Sequence, residues 1–151
     1  MIKRKGDVFT TEARWIGHGV NCSGVMGAGI ALPIKNKYPV NFKAYKEACD
    51  MEELAPGHCL VGPDEGVEPR IVNLATQLYP GPDARYSAIF ESCRTAAEYI
   101  VNYEKHDRNP VLAIPMIGCG IGGLDWDKVE CILRAVEILV PGFQFEVWKY
   151  E

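Results

Sequence analysis

The sequence predicts an α/β fold: a largely parallel sheet with helices on both of its faces. Three observations carry that reading. Short apolar stretches alternate with longer ones whose apolar residues recur every three or four positions, the pattern of strands joined by crossover helices. Two glycine-rich loops, around residues 24–29 and 118–123, each follow an apolar stretch and precede a helical one. Proline–glycine punctuation at Pro80-Gly81-Pro82 and Pro141-Gly142 marks the joins.

Taken in order, residues 2–5 read as a polar edge strand. Residues 15–20 form an apolar strand that runs into the first glycine loop. Helices are expected over 28–37 and 41–49. Strands at 58–61 and 71–74 are separated by the turn-rich segment Gly62-Pro63-Asp64-Glu65-Gly66-Val67-Glu68-Pro69, and 78–85 is an irregular loop. In the helix expected over 86–103, Ile89, Phe90, Cys93, Ala96, Ala97 and Ile100 make one apolar stripe. A strand at 111–116 leads into the second glycine loop. Val129, Ile132, Leu133, Val136 and Leu139 repeat the stripe in a helix over 125–139, which Pro141-Gly142 closes. A last strand covers 143–148.

The chain has 151 residues, enough for one domain over 1–151 with a sizeable core. With 48% hydrophobic and 24% charged residues it has the balance of a soluble globular protein. No apolar stretch approaches the roughly 20 residues that span a membrane, so no membrane partner is expected. Met1-Ile2-Lys3-Arg4-Lys5 lacks the apolar core of a secretory signal. A net charge of −4 without a basic run argues against a large nucleic-acid footprint, but it leaves room for one modified nucleotide read in a pocket. The six cysteines show no metal-ligand spacing. They read as free thiols of a reducing cytoplasm, and no metal or cofactor is expected.

Both glycine loops fall beyond the carboxyl ends of strands, where ligands bind in such sheets. Glycines let a ligand touch the backbone, and a helix start offers free N–H groups with partial positive charge. Two such loops suit a diphosphate held from two sides, with no basic residue required. Gly118 to Gly123 formally matches G-x-G-x-x-G, but the fingerprint normally opens a domain and needs an acidic residue about 20 positions on. Here Glu146, near that distance, lies inside the final strand pattern. Neither loop carries the Gly-Lys-Ser/Thr of a P-loop.

Gly6-Asp7-Val8, His18-Gly19-Val20-Asn21 with Gly24-Val25-Met26-Gly27-Ala28-Gly29-Ile30-Ala31, Asn73-Leu74-Ala75-Thr76-Gln77, and Pro115-Met116-Ile117-Gly118-Cys119-Gly120 with Gly122-Gly123-Leu124-Asp125-Trp126 occur in that order. In that order they resemble the macrodomain family, the ADP-ribose-binding module, over essentially the whole chain. The branch with a terminal ADP-ribose glutamate hydrolase, a DNA-ADP-ribose antitoxin hydrolase, the yeast ADP-ribose-1″-phosphate phosphatase and small phage members is the most similar. The resemblance implies a three-layer αβα sandwich with a mostly parallel mixed sheet. It also implies a monomer in the cytoplasm, that of the host if phage-encoded.

The resemblance implies a role for each matching position. Asp7 and the Val8 backbone take adenine; the alternative for Asp7 is a simple turn. Asn21 reaches the distal ribose, or else caps its own loop. Gly27, Ala28, Gly29 and Ile30 wrap one side of the diphosphate, and Gly118, Cys119, Gly120, Ile121, Gly122 and Gly123 the other; Val25 and Gln77 also belong to the ADP-ribose-binding set. Tyr150 packs on adenine. Gln77 stands where two relatives in the branch carry a lysine, and an amide cannot form the covalent sugar adduct of an amine. Hydrolysis of an ADP-ribose derivative is therefore read first as removal of the 1″-phosphate, with His18 and Asp83 as acid–base pair. The alternatives are release of ADP-ribose from protein or nucleic acid, with Asp125 as the residue to test, and a reader without catalysis. His18 reads otherwise as a core histidine, Asp83 as a loop or capping residue, and Asp125 as a helix N-cap. His58 and His106 are given no role.

Overall fold

The computed structural model describes residues 1–104 and 110–150; His106 lies outside them. Six strands, β1 (Ile2–Lys5), β2 (Trp15–Val20), β3 (Cys59–Val61), β4 (Arg70–Ala75), β5 (Val111–Pro115) and β6 (Gln144–Lys149), form one sheet in the order β1-β6-β5-β2-β4-β3. β3 is antiparallel to β4, and the other pairings are parallel. The helices are α1 (Ala31–Lys37), α2 (Pro39–Asp50), α3 (Tyr86–Tyr103) and α4 (Trp126–Leu139).

Alternation along the strands divides the core. Trp15, Leu112, Ile114, Phe145 and Val147 face α3 and α4, which bring Ile89, Cys93, Ala96, Ile100, Val129, Leu133 and Val136. Ile16, Ile71 and Ala113 face Ile34 of α1, and Val20 and Ala75 face Tyr45 of α2. The result is a three-layer αβα sandwich. β1 is an edge, as its polar sequence implies, with Lys3, Arg4 and Lys5 exposed.

Several boundaries differ from the sequence expectation, each for a local reason. α1 begins at Ala31 rather than residue 28, because Gly29 sits at φ +57° in the left-handed region and breaks the helical run. A short 3₁₀ turn, Val8–Thr10, has no periodic signal in the sequence; the Asp7 side chain caps it by accepting the Phe9 N–H. Leu139 ends the predicted stripe of α4 but is 56% exposed, because Val136 and Val140, four residues apart, take the core-facing positions there. The cysteines are free, as read; Cys93 is buried and Cys131 exposed. Among the described residues no helix is long and apolar enough to cross a membrane.

Parallel pairing sends the carboxyl ends of β1, β2, β4, β5 and β6 to one rim. The segments that follow them, including both glycine loops, therefore converge there.

Candidate ligand-binding site

A cavity of about 980 Å³ opens on that rim, at the upper end of the range for small-molecule sites. The first glycine loop contributes Asn21, Val25 and Gly27 to Ala31, and the second Gly118, Gly120, Ile121 and Gly122. Among the described residues, the amides of Gly27, Ala28, Gly29 and Ile30 donate to no protein acceptor, nor do those of Gly120, Ile121 and Gly122. Two sets of free N–H groups thus flank one cleft, the arrangement that suits an anion without a basic side chain. The loops also meet: a Cβ on Gly29 would lie 3.7 Å from Cδ1 of Ile121.

Gly122 is demanded by space. A Cβ there would fall 2.8 Å from both the Ala84 Cβ and the Gly118 carbonyl oxygen. The loop after β4 leans on the second glycine loop at this point, where the Ala84 N–H donates to the Gly122 carbonyl at 3.3 Å. A side chain at this position has no room here without a shift of the backbone.

Asn21 follows directly on β2. Its Nδ2 donates to the Val25 carbonyl at 2.9 Å, and its Oδ1 accepts from the Ser23 N–H at 2.9 Å and the Tyr45 hydroxyl at 2.7 Å. The side chain shapes the loop and still lines the cavity. Gln77 lines it too, with Nε2 donating to the carbonyls of Tyr79 at 2.6 Å and Gly81 at 2.9 Å. Both its N–H groups are spent on its own loop.

The other end of the cavity is lined by Asp7, Val8, Phe9, Lys37, Trp148 and Tyr150. The Lys37 ammonium sits 4.1 Å from the centre of the Phe9 ring. The sequence reading missed Phe9, Lys37 and Trp148. Phe9 and Trp148 read as ordinary apolar positions, and Lys37 as a solvated helix end, so no local signal distinguished them.

The three expected catalytic side chains are not in the lining. His18 is fully buried below the rim, on the α2 side of β2. Its Nε2 is 2.8 Å from Asn73 Oδ1, and Asn73 in turn pairs with Asn41. Because the Asn73 amide nitrogen donates to Asn41, its oxygen must accept from the imidazole. Burial pushes the His18 pKa down to about 4, so it is neutral at pH 7 and reaches no ligand. His18 shares its face of β2 with Ile16 and Val20 but lies two residues short of the strand's end, where Gly19 and Val20 line the cavity, so its side chain stops in the core and the histidine pattern misleads. Asp83 binds its own loop, with Oδ2 accepting the N–H of Leu78 at 2.9 Å and of Tyr79 at 3.0 Å. The Tyr79 amide foremost holds its pKa below the usual range, the opposite of what a proton donor needs. Asp125 caps α4, accepting the Asp127 N–H at 3.0 Å. His18 and Asp83 therefore do not form an acid–base pair across the cavity. Cys119 and Gly123 belong to the second loop but stand outside the lining. Cys119 is tied to the Ile117 carbonyl through its thiol at 3.3 Å, and burial raises its pKa. Burial likewise lifts Cys22 to about 11, so neither thiol is a ready nucleophile. Asp7, Lys37 and Tyr150 are the titratable side chains of the lining. Among the described residues no group of three or more His, Cys, Asp or Glu is placed to hold a metal ion.

The family model of the macro domain matches residues 18–133. A DNA ADP-ribosyl glycohydrolase of Mycobacterium tuberculosis is 34% identical over 146 residues, which cover 92% of this chain and 37% of the relative. The chain thus spans little more than a third of that relative's length. An ADP-ribose 1″-phosphate phosphatase of Meyerozyma guilliermondii is 23% identical over 170 residues, covering 90% of this chain and 93% of the relative. Among solved structures, the macrodomain of Mycobacterium tuberculosis DarG superposes with a TM-score of 0.84 at 29% identity, covering 98% of this chain and 97% of that one.

Proposed function

The chain belongs to the macrodomain family, and from that premise we propose that the rim cavity binds ADP-ribose and that the protein releases it from a nucleic-acid conjugate. The observation that carries the binding reading is the pair of opposed, unengaged amide arrays on the two glycine loops. A diphosphate between them takes N–H donors from both sides without a counter-cation. The aromatic end, with Asp7 and the Val8 backbone, takes the adenosine. Asn21 and Gln77 stand at the far end, beside the distal ribose. The amides of Gly120, Ile121 and Gly122 remain fixed on the diphosphate while the bond at C1″ exchanges the attached base for water.

The reaction follows the DNA ADP-ribosyl glycohydrolase relatives, which are more similar to this chain than the phosphatase relative. Removal of a 1″-phosphate, the first choice from the sequence, loses its support with its acid–base pair, since His18 and Asp83 are bound elsewhere. A cavity whose titratable side chains include none at the distal end accelerates hydrolysis by holding the sugar and a water in line. That same feature favours, as second reading, a module that binds ADP-ribose and turns nothing over.

The test is to incubate the protein with an ADP-ribosylated DNA oligonucleotide, with ADP-ribosylated protein and with ADP-ribose 1″-phosphate, and to follow released ADP-ribose by chromatography. Release from DNA in proportion to protein is expected. Calorimetric binding of ADP-ribose with no release from any substrate establishes the reader, and phosphate release alone restores the phosphatase.

A further inference from the structure

Glu146 lies on β6, two residues before Trp148 and on the same face of the strand. It is nearly buried, at 6% exposure. Its Oε1 accepts two hydrogen bonds, one from the Trp148 indole N–H at 2.7 Å and one from the Thr11 hydroxyl. The Thr11 oxygen itself accepts the Ala13 N–H at 3.0 Å, so its own proton is committed to Glu146. The second carboxylate oxygen lies 3.5 Å from Arg4, whose side chain is half exposed; such a rim pair contributes little.

Thr11 closes the 3₁₀ turn that begins at Asp7, its N–H donating to the Val8 carbonyl. One carboxylate oxygen therefore joins the strand that carries Trp148 to the turn that carries Asp7. Both segments line the aromatic end of the cavity, and a Cβ on Gly6 would lie 3.8 Å from the Trp148 ring. Charge-assisted bonds to a buried carboxylate are the stronger class of hydrogen bond, and here both converge on one atom.

We propose that Glu146 is a positioning residue for the base of the ligand: it holds the Trp148 wall and the Asp7 turn at the separation in which a planar purine fits, with its exocyclic amine facing Asp7. The proposal rests on the ADP-ribose reading above. Glu146 touches no ligand; it acts through the distance between two segments that do.

The experiment compares calorimetric affinities for ADP-ribose and for inosine diphosphate ribose, which carries a 6-oxo group in place of the amine. Glu146→Leu is expected to weaken ADP-ribose binding about tenfold and to bring the ratio of the two affinities toward one. Thr11→Val and Trp148→Phe each remove one donor and should move the ratio in the same direction by about threefold. Glu146→Gln keeps the accepting oxygen and should restore most of the wild-type ratio. A role in stability alone would lower the melting temperature and weaken both ligands equally. An unchanged ratio in folded Glu146→Leu and in Thr11→Val overturns the proposal; if Glu146→Leu fails to fold, Thr11→Val and Trp148→Phe decide it. Wild-type protein that binds both ligands equally overturns it while the binding reading stands, and wild-type protein that binds neither overturns both.

Discussion

The imidazole Nε2 of His18 stands 2.8 Å from the side-chain oxygen of Asn73, its register partner on the neighbouring strand. The pair lies in the layer between sheet and α2, where Asn41 completes a small polar ladder. His18 Nδ1 has no protein partner among the described residues. This histidine is thus a neutral donor held in the core.

Its burial sets a pH dependence of stability. The folded imidazole titrates at about 4 and the unfolded one at about 6.5. Between these values the unfolded chain binds a proton that the fold rejects, so the contribution is complete above about 6.5 and is lost as pH falls toward 4. The full difference is about 3 kcal/mol. Urea unfolding at about pH 7 and about pH 4.5 should show a steeper acid loss for wild type than for His18→Gln. Parallel losses would mean that this imidazole titrates like an exposed one.

Substitution at Gly122 should separate site from fold. Gly122→Ala places a methyl 2.8 Å from Ala84 Cβ and from the Gly118 carbonyl. Displacement of the second glycine loop should weaken ADP-ribose binding at least tenfold, about 1.4 kcal/mol, with only a few degrees' loss in melting temperature. Calorimetry and thermal melting check it together; full affinity would show that the loop accommodates the methyl without moving.

Asp83→Ala should raise KM and leave kcat nearly intact. Its carboxylate organises the loop through the amides of Leu78 and Tyr79, and that loop presents Gln77, Pro80 and Gly81 to the cavity. A collapse of kcat at unchanged KM would return Asp83 to the chemistry, read by steady-state kinetics on ADP-ribosylated DNA.

Asp125→Ala should cost about 1 kcal/mol of stability through loss of the α4 cap and leave turnover unchanged. Denaturation and rate measurements on one preparation give both numbers. A large fall in rate at wild-type stability would contradict the capping role.

Asn21→Ala should cost both binding and stability. Three bonds, to Ser23, Val25 and Tyr45, pass through its amide, so the first glycine loop loses its internal frame. A loss of ADP-ribose affinity of about tenfold or more is expected, measured by calorimetry. Unchanged affinity would show that the loop keeps its shape without the Asn21 amide.

The long elements were legible because burial leaves a periodic trace. The stripe from Ile89 to Ile100 marked α3, whose observed ends, Tyr86 and Tyr103, match the expected range, and the apolar run marked β2 as it stands, Trp15–Val20. The glycine loops were legible because their backbone conformations and close approaches exclude side chains, as at Gly29 and Gly122. The 3₁₀ turn was not, since three residues carry no period. Phe9 and Trp148 looked like any half-buried aromatic until the topology brought β1 and β6 side by side.

By itself, then, the sequence determined the αβα layering, the order of the elements, the rim on which the cavity opens and the backbone character of the two glycine loops that flank it. These follow from local periodicity and from glycine's freedom. Only the tertiary structure decided which side chains reach the cavity. A one-residue step along β2 takes His18 into the core and Gly19 to the cavity, and the amide partners of Asp83 and Asp127's hold on Asp125 are set by loop geometry. Side-chain direction depends on strand register and on which hydrogen-bond partners the packing brings near, and neither is written in the spacing of the residues.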